Sequence, residues 1–130
     1  PMSLALSPDG TLLAAGDSDN AIHLWDVDRG QKLGVLRGHV AGIWNLAFSP
    51  DGKTLASCAD NRVKLWNLET QQEVLTLARF SAGAAMAEFV PDGSCLVSYS
   101  LDGRFHFWRA PSFEEIAAAE AAADAGAKRP

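Results

Sequence analysis

One feature limits the fold of this chain more than any other: it repeats itself every 41 to 42 residues. Pro8-Asp9-Gly10 returns as Pro50-Asp51-Gly52 and as Pro91-Asp92-Gly93. Trp25, Trp66 and Trp108 keep the same register, and so do Asp19, Asp60 and Asp102. A step of this size marks one supersecondary unit per copy, each too small to bury its own apolar face. The chain is therefore expected to be a stack of three like units with a short C-terminal remainder.

Within a copy the apolar pattern has period 2, which predicts strands. In the second copy, Ile43 to Phe48 reads as a strand with Leu46 and Phe48 on one face. Ser49-Pro50-Asp51-Gly52-Lys53 is a turn, because Pro presets φ and Gly accepts a positive one. Thr54 to Cys58, Arg62 to Asn67 and Glu73 to Leu77 read as three further strands. Val63 and Leu65 then lie opposite Trp66, so both faces of the sheet are apolar. Stacking against a copy on each side buries both, and radial stacking gives a propeller. Tight antiparallel hairpins exclude a parallel α/β fold, which needs helical crossovers.

Gly38-His39, Phe48-Ser49-Pro50-Asp51-Gly52, Leu55-Ala56-Ser57, Asp60 and Leu65-Trp66-Asn67 carry a family pattern. Leu6-Ser7-Pro8-Asp9-Gly10 and Leu24-Trp25-Asp26 repeat it. Together they resemble the WD-repeat β-propeller family, over residues 3 to 109. The resemblance implies a hydrogen-bonded chain of His39, Ser57, Asp60 and Trp66 within the middle blade. The logic is physical as well: a buried indole N–H needs an acceptor, and a buried carboxylate needs donors. His, Ser and Asp together also imitate a hydrolase triad, but no oxyanion motif accompanies them, so a structural role is expected. The first copy has Ala15 at the Ser position, and its His position falls before residue 1. The third copy has Phe80 at the His position, while Ser98, Asp102 and Trp108 remain. The outer blades are expected to rely more on apolar packing.

By the same resemblance, Trp44 enters its strand near the rim where family members meet partners. An exposed Trp there would anchor a protein partner. The register-equivalent rim candidates are Met2, Ser18, Ala59, Ala85 and Leu101.

Other chemistries find little support. Acids outnumber bases 16 to 11 with no basic cluster, so nucleic-acid binding is not expected. No apolar run nears the roughly 18 residues of a membrane span, and no secretion signal is visible. The chain opens on Pro1 with its first Met at Met2, so a missing N-terminal region is expected. Cys58 and Cys95 lack CxxC spacing, and fit buried thiols in a reducing, cytoplasmic setting. Gly52-Lys53-Thr54 imitates a P-loop end, but the earlier glycine position is Ala47. Asp17-Ser18-Asp19-Asn20 and Asp26-Val27-Asp28-Arg29-Gly30 hint at calcium without the late Glu, and read as turns. His23 and His106 are equivalent, but Lys64 stands between them in register, which disfavours a metal. Neither cofactor nor metal is expected.

The fourth strand of the third copy does not appear. Ser112 and Glu115 have capping-box spacing and Gly126 is a stop, which predicts a helix near 113–124 with a frayed end. Phe113 and Ile116 are expected to dock it on the last blade. The stretch Trp108 to Ile116 resembles the ends of bacterial WD-repeat proteins, some of which carry a serine/threonine kinase.

The expected architecture is all-β, a partial propeller over residues 1–110 with blades at 1–39, 40–80 and 81–110. The last blade lacks its outer strand, and residues 111–130 form an Ala-rich helical tail. Three blades cannot close a ring of the usual 4 to 8 or so, so open faces lined by Ile22, Leu24, Phe105 and Phe107 are expected. The function this implies is a non-catalytic protein-interaction scaffold, the C-terminal part of a larger propeller. Two alternatives are the regulatory end of a bacterial signalling enzyme such as a kinase, and a chain that completes its ring with copies of itself.

Overall fold

The computed structural model describes residues 3–59, 62–79, 84–100 and 103–109. They form eleven strands. The first blade is β1 (Ser3–Leu6), β2 (Leu12–Gly16), β3 (Ala21–Asp26) and β4 (Gln31–Arg37). The second is β5 (Asn45–Phe48), β6 (Thr54–Ala59), β7 (Arg62–Asn67) and β8 (Gln72–Arg79). The third is β9 (Ala84–Phe89), β10 (Cys95–Ser100) and β11 (Phe105–Arg109). Every pairing is antiparallel between sequence neighbours, giving sheets of four, four and three strands. No helix occurs among the described residues, and the expected helix at 113–124 lies outside them.

The repeated Pro-Asp-Gly tripeptide does the same work three times. In the first blade, Gly10 N–H donates to the Ser7 carbonyl, and Ser7 N–H to the Leu12 carbonyl. Gly10 sits at φ 75°, a conformation that side chains with a Cβ rarely adopt. The same bonds recur at 49–54 and 90–95. The Asp carboxylate fixes the loop. Asp9 accepts from the Ser7 hydroxyl at 2.7 Å and from the Thr11 backbone at 3.0 Å, and these bonds hold its carboxyl down at about 2. Asp51 is lowered the same way by Ser49 and the Lys53 backbone. In the third blade Val90 replaces the serine, and Ser94 supplies the donors to Asp92 instead.

Strand alternation divides each sheet into two apolar faces. Trp66, Leu46, Phe48 and Leu55 pack against Ile22, Leu24 and Leu36 of the first blade. Val63, Leu65, Ala56 and Cys58 pack against Ala87, Phe89 and Leu96 of the third, with Trp108 beside them. Each Trp of the second and third blades therefore faces the preceding blade, as the alternation around Trp66 requires. The core is a pair of inter-blade joints rather than one interior.

Two of the expected open-face residues are placed differently. Ile22 and Leu24 are buried, 0% and 2% exposed, inside the joint with the second blade. They alternate with Trp25, so when Trp25 points away from the second blade they must point into it. The open face of the first blade instead carries Leu4 and Leu6, 67% and 59% exposed. Phe105 and Phe107 are exposed as expected, at 63% and 69%.

Candidate functional site

The middle blade assembles most of the hydrogen-bonded chain. β6 turns Ser57 toward the first blade, between Leu55 and Ala59, and β7 turns Trp66 the same way. Trp66 Nε1–H donates to Ser57 Oγ at 2.8 Å. His39, on the connection from β4 to β5, brings its Nε2 within 2.6 Å of the same oxygen. A hydroxyl has one hydrogen and two lone pairs, so Ser57 satisfies both rings at once. Ser57, His39 and Trp66 are all buried. Asp60 lies outside the described residues. A hydroxyl sealed beneath an indole and an imidazole is placed to join strands, whereas a nucleophile must meet its substrate.

The neighbouring blades vary this pattern. Trp108 Nε1–H donates to Ser98 Oγ at 3.0 Å, and the His106 ring stacks on Trp108 at 6.1 Å. In the first blade Ala15 offers no acceptor, and Lys32 Nζ lies 5.9 Å from the Trp25 ring centroid. One polar group on this face was not foreseen. Lys64, opposite Ser57 in the register, is buried and donates to Glu73 at 2.6 Å and Thr76 at 3.1 Å. Its only sequence signal is a cation at the position of His23 and His106.

The rim candidates are scattered in their fates. Trp44 is 64% exposed although its backbone N–H is tied to the Cys58 carbonyl at 2.9 Å. Val40, on the same connection, is also exposed. Ser18 is exposed on the β2–β3 turn. Ala59 departs from the expectation: β6 runs on through it, and its parity with Leu55 and Ser57 buries it in the first joint. It offers no side chain to a partner. Ala85 is a backbone position of β9, and Met2 and Leu101 lie outside the described residues. Sequence reasoning also missed Asn45, whose Oδ1 accepts from Ala87 N–H at 3.0 Å and ties the second blade to the third.

Asp17, Asp19 and His23 bring one potential ligand atom each within 4.8 Å of one another. The same atoms already serve the turn. Asp17 accepts from Ser18 N–H, Asp19 accepts from Ala21 N–H, and His23 Nε2 lies 3.1 Å from Asp19. Burial pushes the Cys58 thiol up to about 12, so it is not a ready thiolate. Among the described residues, no helix is long and apolar enough to cross a membrane.

Comparison with known proteins agrees with this architecture. Residues 2–26 and 30–67 match the family described as WD domain, G-beta repeat. Transducin beta-like protein 3 of Mus musculus is 48% identical over 46 residues, 35% of this chain and 6% of the mouse protein. Periodic tryptophan protein 2 of Saccharomyces cerevisiae is 42% identical over 57 residues, 43% of this chain and 6% of the yeast protein. The probable serine/threonine-protein kinase PkwA of Thermomonospora curvata is 50% identical over 38 residues, 29% of this chain and 5% of that protein. The chain thus spans only a small part of the length of these relatives.

Proposed function

This chain belongs to the WD-repeat family, and from that premise we propose that it is a protein-interaction scaffold without chemistry of its own, the C-terminal part of a larger propeller. One observation carries the reading: Trp44 stands 64% exposed on the connection between two well-packed blades. Trp66, a few strands away, is fully packed, so the fold has room for buried indoles and leaves this one out. A rigid, exposed Trp on a fixed rim suits a partner's apolar pocket. Burial of Ser57 within its network supports the non-catalytic part of the reading. The apolar faces of the first and third blades support a ring with more than three blades. Two free thiols, one deeply buried, suit a reducing cytoplasmic setting.

The test uses peptides selected from a display library on the immobilised chain. Trp44→Ala should weaken the selected binders by about 2 kcal/mol, some 30-fold, with the far-ultraviolet spectrum unchanged. Binders indifferent to Trp44 would overturn this rim as the site.

A second reading, the regulatory end of a bacterial signalling enzyme, is favoured by the match to a probable kinase at 50% identity. Kinase motifs encoded upstream of residue 1 would support it, and an upstream sequence without them would refute it.

A further inference from the structure

The peptide unit between Ile43 and Trp44 is held by two blades at once. Its carbonyl, on Ile43, accepts from the Ser3 hydroxyl of the first blade at 3.4 Å. Its N–H, on Trp44, donates to the Cys58 carbonyl of the second blade at 2.9 Å. Ile43 is fully buried, in the same cluster as Ala14, Ile22 and Leu36 of the first blade, while Trp44 beside it is exposed. A peptide unit is planar, so fixing both its polar ends and the side chain before it fixes where the Trp44 Cα stands.

The contact that receives Ile43 is particular to this joint. Gly16 ends β2 against it, and a Cβ on Gly16 would stand 2.5 Å from Ile43 Cβ. In register with Gly16 the other copies have Cys58 and Tyr99, and in register with Ile43 the third copy has Ala84. A large residue on the entering connection thus meets a missing side chain on the receiving strand, which is what close packing requires. Ser3 is particular too. Its register counterpart, Asn45, also crosses to the next blade, but it reaches Ala87 within β9, whereas Ser3 reaches the connection itself.

Resting on the reading of Trp44 as a partner's anchor, we propose that Ser3 and Gly16 are positioning residues for it: the first blade sets where the second blade's indole stands. The rim then reports on the joint beneath it. A slide of one blade past the other pulls the Ile43 carbonyl and the Trp44 N–H in different directions and turns the indole from its place. By linkage, a partner that fixes Trp44 braces the joint in return.

Fluorine NMR of the 130-residue chain labelled with fluorotryptophan tests this, the Trp44 signal being identified by its loss in Trp44→Phe. Ser3→Ala should move the Trp44 signal toward that of the free amino acid, while Trp108 in the third blade keeps its own. Ser3→Thr retains the hydroxyl and should leave the Trp44 signal in place. In Ser3→Ala the Trp44 backbone N–H should exchange with solvent roughly fivefold faster, the effect of losing about one hydrogen bond, and the Leu65 N–H should not change. Gly16→Ala should displace the Trp44 signal as well. Ile43→Val, which trims the anchor instead, takes its place if circular dichroism shows that Gly16→Ala fails to fold. A Trp44 signal unmoved by Ser3→Ala overturns the proposal. A change shared equally by Trp108 or Leu65 overturns it too, in favour of general loosening. No peptide enters this test: a fixed Trp44 that no peptide needs sinks the partner reading alone, and a Trp44 indifferent to Ser3 that peptides still need sinks this one alone.

Discussion

Ser57→Ala removes a single oxygen, yet it should cost this fold about 2–3 kcal/mol. The oxygen accepts the Trp66 indole N–H at 2.8 Å and meets His39 Nε2 at 2.6 Å. Both rings are buried, and Trp66 is only 1% exposed. An alanine leaves the indole N–H without an acceptor and with no path to water, which costs roughly 1–3 kcal/mol for one buried donor. His39 loses its bond to the hydroxyl but keeps other interactions, so its share is the smaller. Ser98→Ala provides the internal comparison. It strips one bond of 3.0 Å from Trp108, which is partly buried, where Ser57→Ala strips two, so a smaller cost of about 1 kcal/mol is expected. The assay is urea unfolding followed by far-ultraviolet circular dichroism, with the midpoint shift read at constant slope. Fluorescence is a poorer probe, because the mutation changes the surroundings of a Trp. A Ser57→Ala cost within about 0.5 kcal/mol, or a Ser98→Ala cost as large, would refute the reasoning.

Three further outcomes are expected. Gly16→Ala would place a Cβ 2.5 Å from Ile43 Cβ and 2.6 Å from Ser3 Oγ, so overpacking should destabilise by about 1–3 kcal/mol in the same urea assay. Asp9, Asp51 and Asp92 all titrate below their ordinary range when folded. Their contribution is complete above the unfolded value near 4 and is lost as pH falls toward the folded values, about 2 for Asp9, so urea midpoints should drop between pH 4 and 2 and Asp9→Asn should flatten that drop. The Cys58 thiol, pushed up to about 12 by burial, should react with a disulfide reagent much more slowly than Cys95 and gain speed when urea unfolds the chain; equal rates in the folded state would contradict its burial.

The repeat is legible in the sequence because its markers are local: a Pro-Asp-Gly turn and a lone Trp each announce themselves within a few residues. Parity along a strand is legible for the same reason, and Trp66 does stand opposite Val63 and Leu65. What alternation leaves open is direction. It says that Ile22 and Leu24 share a face opposite Trp25, but not whether that face meets a neighbour or solvent. That choice depends on the sense in which blades stack, and stacking places both residues in the joint. Ala59 turns on a smaller matter, since β6 runs one residue further than the turn chemistry suggests and so carries it inside. The Lys64–Glu73 pair is hidden for a third reason. Its register passes through irregularities at Val63/Lys64 and Leu65/Trp66, and a shifted ladder cannot be read from composition. Within the site, the Ser57 and Trp66 pair follows from two neighbouring strands in register, whereas His39 and Trp44 come from the irregular connection between blades. A motif can name such residues, but only packing decides that one is buried beneath an indole while the other is left for a partner.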